Sequence, residues 1–290
     1  MIGHGPAIQQ IADTIKDHHS NFSNPQLQQI SHNLRKKVLN DDLIVTKADK
    51  GNSIVILDRS EYNSKVNDFL TSSNAVVYQD FDFDKFCENV RKTVNKCEYV
   101  IREPHTKRSI LISNPRIQLL HGLPKVHKPG IPIRPVVSFV HSPTYRLAKF
   151  LDTWFRHVSE INSFFAIRNS KDLVGKLLEA EPLPSNSTLV SFDVVGLYPN
   201  VPILPIILEF VNILEEKGVP PPTISEFITL LKLCLQPNFC EFNNNTYRLP
   251  DFVGVPTGSP IAPLVAEVFM SSFESLIFSN TSDHTPFIHY

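Results

Sequence analysis

The chain has 290 residues, 42% of them hydrophobic, and a formal net charge of −1. That length can bury one large core or two modest ones. No apolar run reaches the roughly 18 residues that span a bilayer, and the start MIGHGPAIQQ has neither the basic nor the apolar region of a secretory signal. A soluble, intracellular protein is expected. Cys87, Cys97, Cys234 and Cys240 show no C-x-x-C spacing and read as reduced, buried thiols. The histidines show no metal-finger spacing either.

Residues 7 to 40 read as helical, with Ile8, Ile11 and Ile15 at helical spacing and a second segment around Leu27, Ile30, Leu34 and Val38. Leu43-Ile44-Val45 and Ser53-Ile54-Val55-Ile56-Leu57 are short β-branched runs joined by a Lys/Gly turn, which predicts a hairpin. Helices are predicted over 60–72 and 84–100. From 104 to 145 seven prolines exclude long helix and favour extended strands and rigid loops. Helix resumes over 144–158 and 170–180, and Pro182 to Ser187 reads as a linker.

The run Leu189 to Val195 predicts a strand that presents Asp193 near its exposed end and then turns through Gly196 toward Tyr198. Helices over 203–217 and 223–235 follow, then a hairpin around Asn243-Asn244-Asn245 and an amphipathic helix over 259–278. Strands and helices alternate without a regular βαβ cadence, so the predicted class is α+β.

The near-neutral total hides a segregated charge. From Arg91 to Lys149 there are twelve Lys and Arg against Glu98 and Glu103, about +10, and such a run attracts polyanions whatever the overall sum. Within it, Leu123-Pro124-Lys125-Val126-His127-Lys128-Pro129-Gly130-Ile131-Pro132-Ile133-Arg134 fixes three cations on a proline-braced segment. A Pro-Gly turn lets Lys125 or Lys128 converge with Arg134, and an arginine fork beside a lysine suits a triphosphate.

Thr46-Lys47-Ala48-Asp49 matches the guanine-reading pattern of GTPases, but the phosphate loop which that reading needs is absent from the sequence. The turn is left with two amines, Lys47 and Lys50, as a solvated hairpin or a phosphate contact. Gly254-Val255-Pro256-Thr257-Gly258-Ser259-Pro260 introduces the final helix, with Ser259 as the expected N-cap, and Gly258 leaves its backbone open to close approach.

These segments, in this order, resemble the reverse transcriptases of Penelope-like retroelements, relatives of telomerase reverse transcriptase. The likeness runs from about Ile30 to the C-terminus. It takes in Thr46 to Gly51, the fingers-like Gly122 to Pro129 and Ile133 to Ser138, a motif A in Ser191 to Pro202, and a motif B in Gly254 to Pro260 with Ala266 to Met270.

The resemblance implies a right-hand polymerase fold with fingers and an incomplete palm. It would be divided into a helical segment 1–40, a fingers-like region 41–185 and a palm region 186–290. It implies two Mg²⁺ or Mn²⁺ ions in the full-length enzyme, with Asp193 a ligand of both and the Val194 carbonyl a ligand of one. Tyr198 would be a steric gate against the ribose 2′-hydroxyl. Lys125 and Arg134 would hold the incoming deoxynucleoside triphosphate, and Gly258 and Ser259 would shape its pocket. Lys47, Lys50, Lys128 and Arg146 would contact an RNA template and DNA primer. The location implied is intracellular and nuclear, with no membrane partner.

The sequence departs from the family in one decisive respect. Its motif C, an aromatic-x-Asp-Asp hairpin, should follow motif B, but the chain's only Asp-Asp pair is Asp41-Asp42 and the residues end at Tyr290. No thumb is present, and Thr257 replaces the more usual Met or Gln. The expectation is a reverse transcriptase fragment that is inactive alone. The rival is a truncated or domesticated remnant that only binds RNA or DNA. An unrelated metal-dependent phosphotransferase is a remote third reading.

Overall fold

The computed structural model describes residues 25–278, apart from 162–166, 168, 180–184, 187, 189 and 251–253. The first predicted helical segment, around Ile8 to Ile15, and most of the 182–187 linker lie outside the described residues. Content is mixed α and β, with ten helices and seven strands among the described residues, compatible with α+β. None of these helices is long and apolar enough to cross a membrane. Two compact units can be separated. One holds the described parts of Met1–Tyr78, Leu119–Val137 and Glu241–Leu249; the other holds those of Gln79–Gln118, Ser138–Cys240 and Pro250–Tyr290. The chain leaves each unit and returns to it.

The first unit is rich in strands. Helix α1 (Pro25–Asn40) leads into β1 (Leu43–Lys47), which pairs antiparallel with β2 (Ile54–Asp58) in the register Val45 to Ile56. Gly51 and Asn52, both at positive φ, carry the connection, as the Lys/Gly turn predicts. Helix α2 (Arg59–Ser72) packs on this hairpin through Tyr62, Val66 and Leu70. The larger sheet has the order β3-β7-β6-β4-β5, with β3 Val76–Val77, β4 Leu119–Pro124, β5 Ile133–Ser138, β6 Phe239–Phe242 and β7 Asn245–Arg248. Strand β4 alternates half-buried and buried residues and runs parallel to β6. Asn243 and Asn244, at φ 47° and 62°, form the predicted hairpin tip between β6 and β7.

The second unit is helical. It contains α3 (Phe83–Lys96), α4 (Pro104–Ile110), α5 (Tyr145–Ser159), α6 (Ser170–Glu179), the short α7 (Leu197–Asn200), α8 (Ile203–Glu216), α9 (Pro221–Leu235) and α10 (Ala262–Phe278). The Asp82 carboxylate caps α3 by accepting from Lys85 N–H at 2.9 Å. Leu147, Leu151 and Phe155 line the inner face of α5, and Ile203, Ile206, Phe210 and Leu214 line that of α8. They meet Phe227 and Leu231 of α9 in an aromatic core, where Phe155 stands edge-on to Phe210 at 4.7 Å. Arg156 of α5 ties to Glu267 of α10 at 2.7 Å.

Cys97, Cys234 and Cys240 are buried free thiols, as expected, while Cys87 is half-buried. Burial pushes the Cys97 and Cys240 thiols up to about 12.

Two local expectations are corrected. The described residues from 190 to 196 form no strand, and Val190, Phe192 and Val195 are strongly exposed. The apolar alternation there has no partner backbone among the described residues, and a strand needs one. Helix α10 begins at Ala262, not at Ser259. Successive turns, Ser259 N–H to Pro256 O and Ala262 N–H to Ser259 O, delay its start.

Candidate nucleotide and nucleic-acid site

The expected site residues fall in both units. In the strand-rich unit, Lys125 N–H donates to Pro132 O at 2.8 Å, closing the connection between β4 and β5. Inside it, Ile131 N–H returns to Lys128 O at 3.1 Å around Pro129 and Gly130, whose φ is 72°. Proline followed by a glycine at positive φ is the chemistry of a type II turn. Lys65 Nζ of α2 donates to Gly130 O at 2.8 Å and braces the tip. At the base, Gly122 N–H donates to the buried Tyr62 hydroxyl at 2.7 Å, and burial raises that phenol's pKa. A Cβ at Gly122 would press on Ile133 at 2.9 Å, so the glycine lets β4 and β5 close together.

Asp49 joins this tip to the β1–β2 turn. Its N–H donates to Pro124 O at 2.9 Å, and its Oδ1 lies 3.0 Å from Arg134 Nε. The contact is one of charge rather than an aligned hydrogen bond, since Oδ1 is a buried oxygen without a hydrogen-bond donor. Lys47, Lys50, Lys125, Lys128 and Arg134 are thereby carried by two connections tied at one residue. Asp49 is the residue that sequence reasoning passed over. Its only signal was the Thr-Lys-x-Asp pattern, set aside with the GTPase reading.

In the helical unit, Asp193 is exposed in irregular backbone, with Val194 beside it. Gly196 takes φ 63° and opens α7, whose Asn200 Nδ2 donates back to Gly196 O at 2.8 Å. Half-buried Tyr198 follows the glycine, as the sequence predicts. Its carbonyl accepts from Val255 N–H at 2.7 Å, and Gly254, at φ 68°, lies so close to Pro199 that a Cβ would overlap the Pro199 carbonyl. The segment carrying Asp193 and Tyr198 is therefore joined to the one carrying Gly258 and Ser259. Ser259 is buried and its Oγ finds no partner among the described atoms. Arg146 is also in this unit, exposed on the first turn of α5.

Neither protein-family models nor curated proteins match the chain.

A hard divalent cation takes about six oxygen ligands, and paired-cation chemistry needs several carboxylates. Among the described residues no three of His, Cys, Asp and Glu cluster, and Asp193 offers one carboxylate. This donor set does not by itself fit two ions. The arrangement supplies two things: a braced set of cations for phosphate in one unit, and an exposed carboxylate beside a tight Gly-Pro backbone junction in the other.

Proposed function

We propose that the chain is the fingers and partial palm of an RNA-directed DNA polymerase, which binds primer–template and a deoxynucleoside triphosphate but does not complete nucleotidyl transfer alone. The right-hand polymerase architecture belongs to this proposal. The observation that carries it is the joining of the Asp193–Tyr198 and Gly254–Ser259 segments by the Tyr198–Val255 hydrogen bond. Segments 55 or more residues apart in sequence, singled out for one nucleotide site, meet through their backbones.

In this reading Lys125 and Arg134 hold the triphosphate, Arg134 through the guanidinium nitrogens that its Asp49 contact leaves free. Tyr198 excludes the 2′-hydroxyl, and Gly258 and Ser259 lie under the nucleotide. Lys47, Lys50, Lys128 and Arg146 contact the nucleic-acid backbone. Asp193 and the Val194 carbonyl would be two of the ligands for Mg²⁺ or Mn²⁺, and further carboxylates would have to complete the set. Nuclear location follows from the same reading.

The test is nucleotide binding, followed by competition of unlabelled deoxynucleoside and ribonucleoside triphosphates against a fluorescent deoxynucleotide. Arg134→Ala and Lys125→Ala should each weaken binding at least about tenfold, the loss of one charge-assisted contact. Tyr198→Ala should narrow the preference for deoxynucleotides. Nucleotide binding indifferent to all three substitutions would remove the polymerase reading. It would leave the binding-only alternative, which primer–template affinity then tests.

A further inference from the structure

The helical unit carries a second constellation, of which the polymerase reading uses Arg146 alone. A cleft of about 470 Å³ is lined by Tyr99, Arg102, Glu103, Phe150 and Trp154, among others, all within that unit. Three aromatic rings, Tyr99, Phe150 and Trp154, stand in its walls among aliphatic side chains such as Val158 and Val219. Trp154 is half-buried and stacks on Phe227 at 5.1 Å with the planes 25° apart. Tyr99 is 46% exposed. Arg102 Nε donates to Tyr99 O at 3.0 Å, which fixes the guanidinium at the rim and leaves its terminal nitrogens to other acceptors.

The floor beneath this rim is braced. The Glu226 carboxylate accepts from the N–H groups of Glu98 at 2.7 Å, Tyr99 at 3.1 Å and Val100 at 2.6 Å. The backbone that presents Tyr99 is thus held in place, which reduces the ordering cost of binding there.

A strip of cations adjoins the cleft on the same two helices. Thr106 of α4 lines the cleft and is followed by Lys107 and Arg108; Phe150 of α5 lines it and is preceded by Arg146 and Lys149. Lys107 Nζ donates to Asn95 O at 3.0 Å, beside Lys96, and Arg146 Nη1 donates to Ser109 O at 3.0 Å. These bonds stitch the end of α3, the whole of α4 and the first turn of α5 into one basic surface. None of Lys96, Lys107, Arg108, Arg146 and Lys149 is in an ion pair among the described residues. Glu103 is the one acid on the cleft wall.

We infer that the Tyr99–Trp154 cleft takes an unstacked base of single-stranded nucleic acid, with the flanking phosphates on Arg102 and the α3–α4–α5 strip. A cleft with exposed aromatic faces beside a run of cations outside ion pairs fits the two components of single-strand binding, base stacking and backbone charge. The cleft is large enough for one base and its sugar, and a base inside a duplex, stacked on both faces, has no free face to offer it. This rests on the nucleic-acid reading above but not on polymerase chemistry, and it assigns residues in the helical unit alone.

The test uses Trp154 itself, the chain's single tryptophan. Titrating the full chain with single-stranded RNA and DNA of about ten nucleotides should quench tryptophan emission saturably, and a blunt duplex of the same length should quench far less. Anisotropy of the labelled strand follows binding in parallel. Tyr99→Ala, at an exposed position, should weaken single-strand binding at least about fivefold. Lys107→Ala with Arg146→Ala should lower the salt slope by about 1.4, two contacts at about 0.7 each on a single strand, with circular dichroism confirming that both proteins fold.

Binding of single strands that leaves Trp154 emission unchanged and is indifferent to Tyr99→Ala overturns the inference. So does the absence of single-strand binding, or quenching by an acidic peptide alone. None of these results bears on Arg134 and Lys125, which the nucleotide competition judges separately.

Discussion

Arg134 Nε lies 3.0 Å from Asp49 Oδ1, with the Asp49 side chain 2% exposed and that of Arg134 50% exposed. A carboxylate buried to that degree is costly without its cation, whereas the half-exposed guanidinium is cheap to leave alone. The pair therefore orients Arg134 and neutralises Asp49. Arg134→Ala should destabilise the fold by about 2 kcal/mol, read by chemical denaturation. The same substitution in an Asp49→Asn background should cost well under half as much. Equal costs in both backgrounds would show that the two side chains are not coupled.

Charge segregation between Arg91 and Lys149 should make primer–template binding salt-sensitive. The logarithm of affinity should fall by about 0.9 per neutralised phosphate against the logarithm of salt. Lys125→Ala with Lys128→Ala should flatten that slope by nearly two such increments. Anisotropy from about 50 to 200 mM salt measures it, and a slope unchanged by the double substitution would take these lysines off the nucleic acid.

Gly254 is required twice, by its φ of 68° and by the nearness of the Pro199 carbonyl. Gly254→Ala should cost about 2 kcal/mol or more and should separate Val255 from Tyr198. Thermal denaturation reads the cost, and altered nucleotide selectivity would report the movement of Tyr198. A neutral alanine would mean that the junction is looser than described.

Glu226 gives a pH dependence with a definite sign. Burial pushes its carboxyl upward, but the hydrogen bonds from Glu98, Val100 and Tyr99 outweigh this, and it settles below the ordinary value of 4.5. A depressed folded-state pKa contributes stability that is full above the unfolded value and lost as pH falls through the folded one. Glu226→Gln should therefore be less stable than the parent at neutral pH. The gap should begin to close as pH falls below about 4.5 and vanish below the depressed folded value, where both side chains are neutral. A gap constant with pH would refute the role of the charge.

Local chemistry made much of this readable. The Asn243-Asn244 and Pro129-Gly130 tips, the Lys/Gly turn and the helices around Leu151, Phe210 and Phe227 all follow from turn residues and apolar spacing, which act within a few positions. The strand expected at Asp193 did not follow, because alternation describes a face and not the neighbour that must pair with it. The start of α10 moved because two consecutive turns competed with the Ser259 cap. The charge run between Arg91 and Lys149 is continuous in sequence, yet Lys125, Lys128 and Arg134 belong to one unit and Arg146 and Lys149 to the other. Nothing local encodes that division, nor the pairing of Asp49 with a residue 85 positions away.

The central claim is tested most directly by nucleotide addition to a DNA primer annealed to an RNA template. The 290 residues should give no detectable extension with Mg²⁺ or Mn²⁺, because one carboxylate leaves the repulsion between two cations uncompensated. A chain that also carries an aromatic-x-Asp-Asp hairpin and a thumb should extend the primer, and Asp193→Asn should abolish it. Robust extension by the 290 residues alone, or extension by the longer chain that survives Asp193→Asn, would contradict the account.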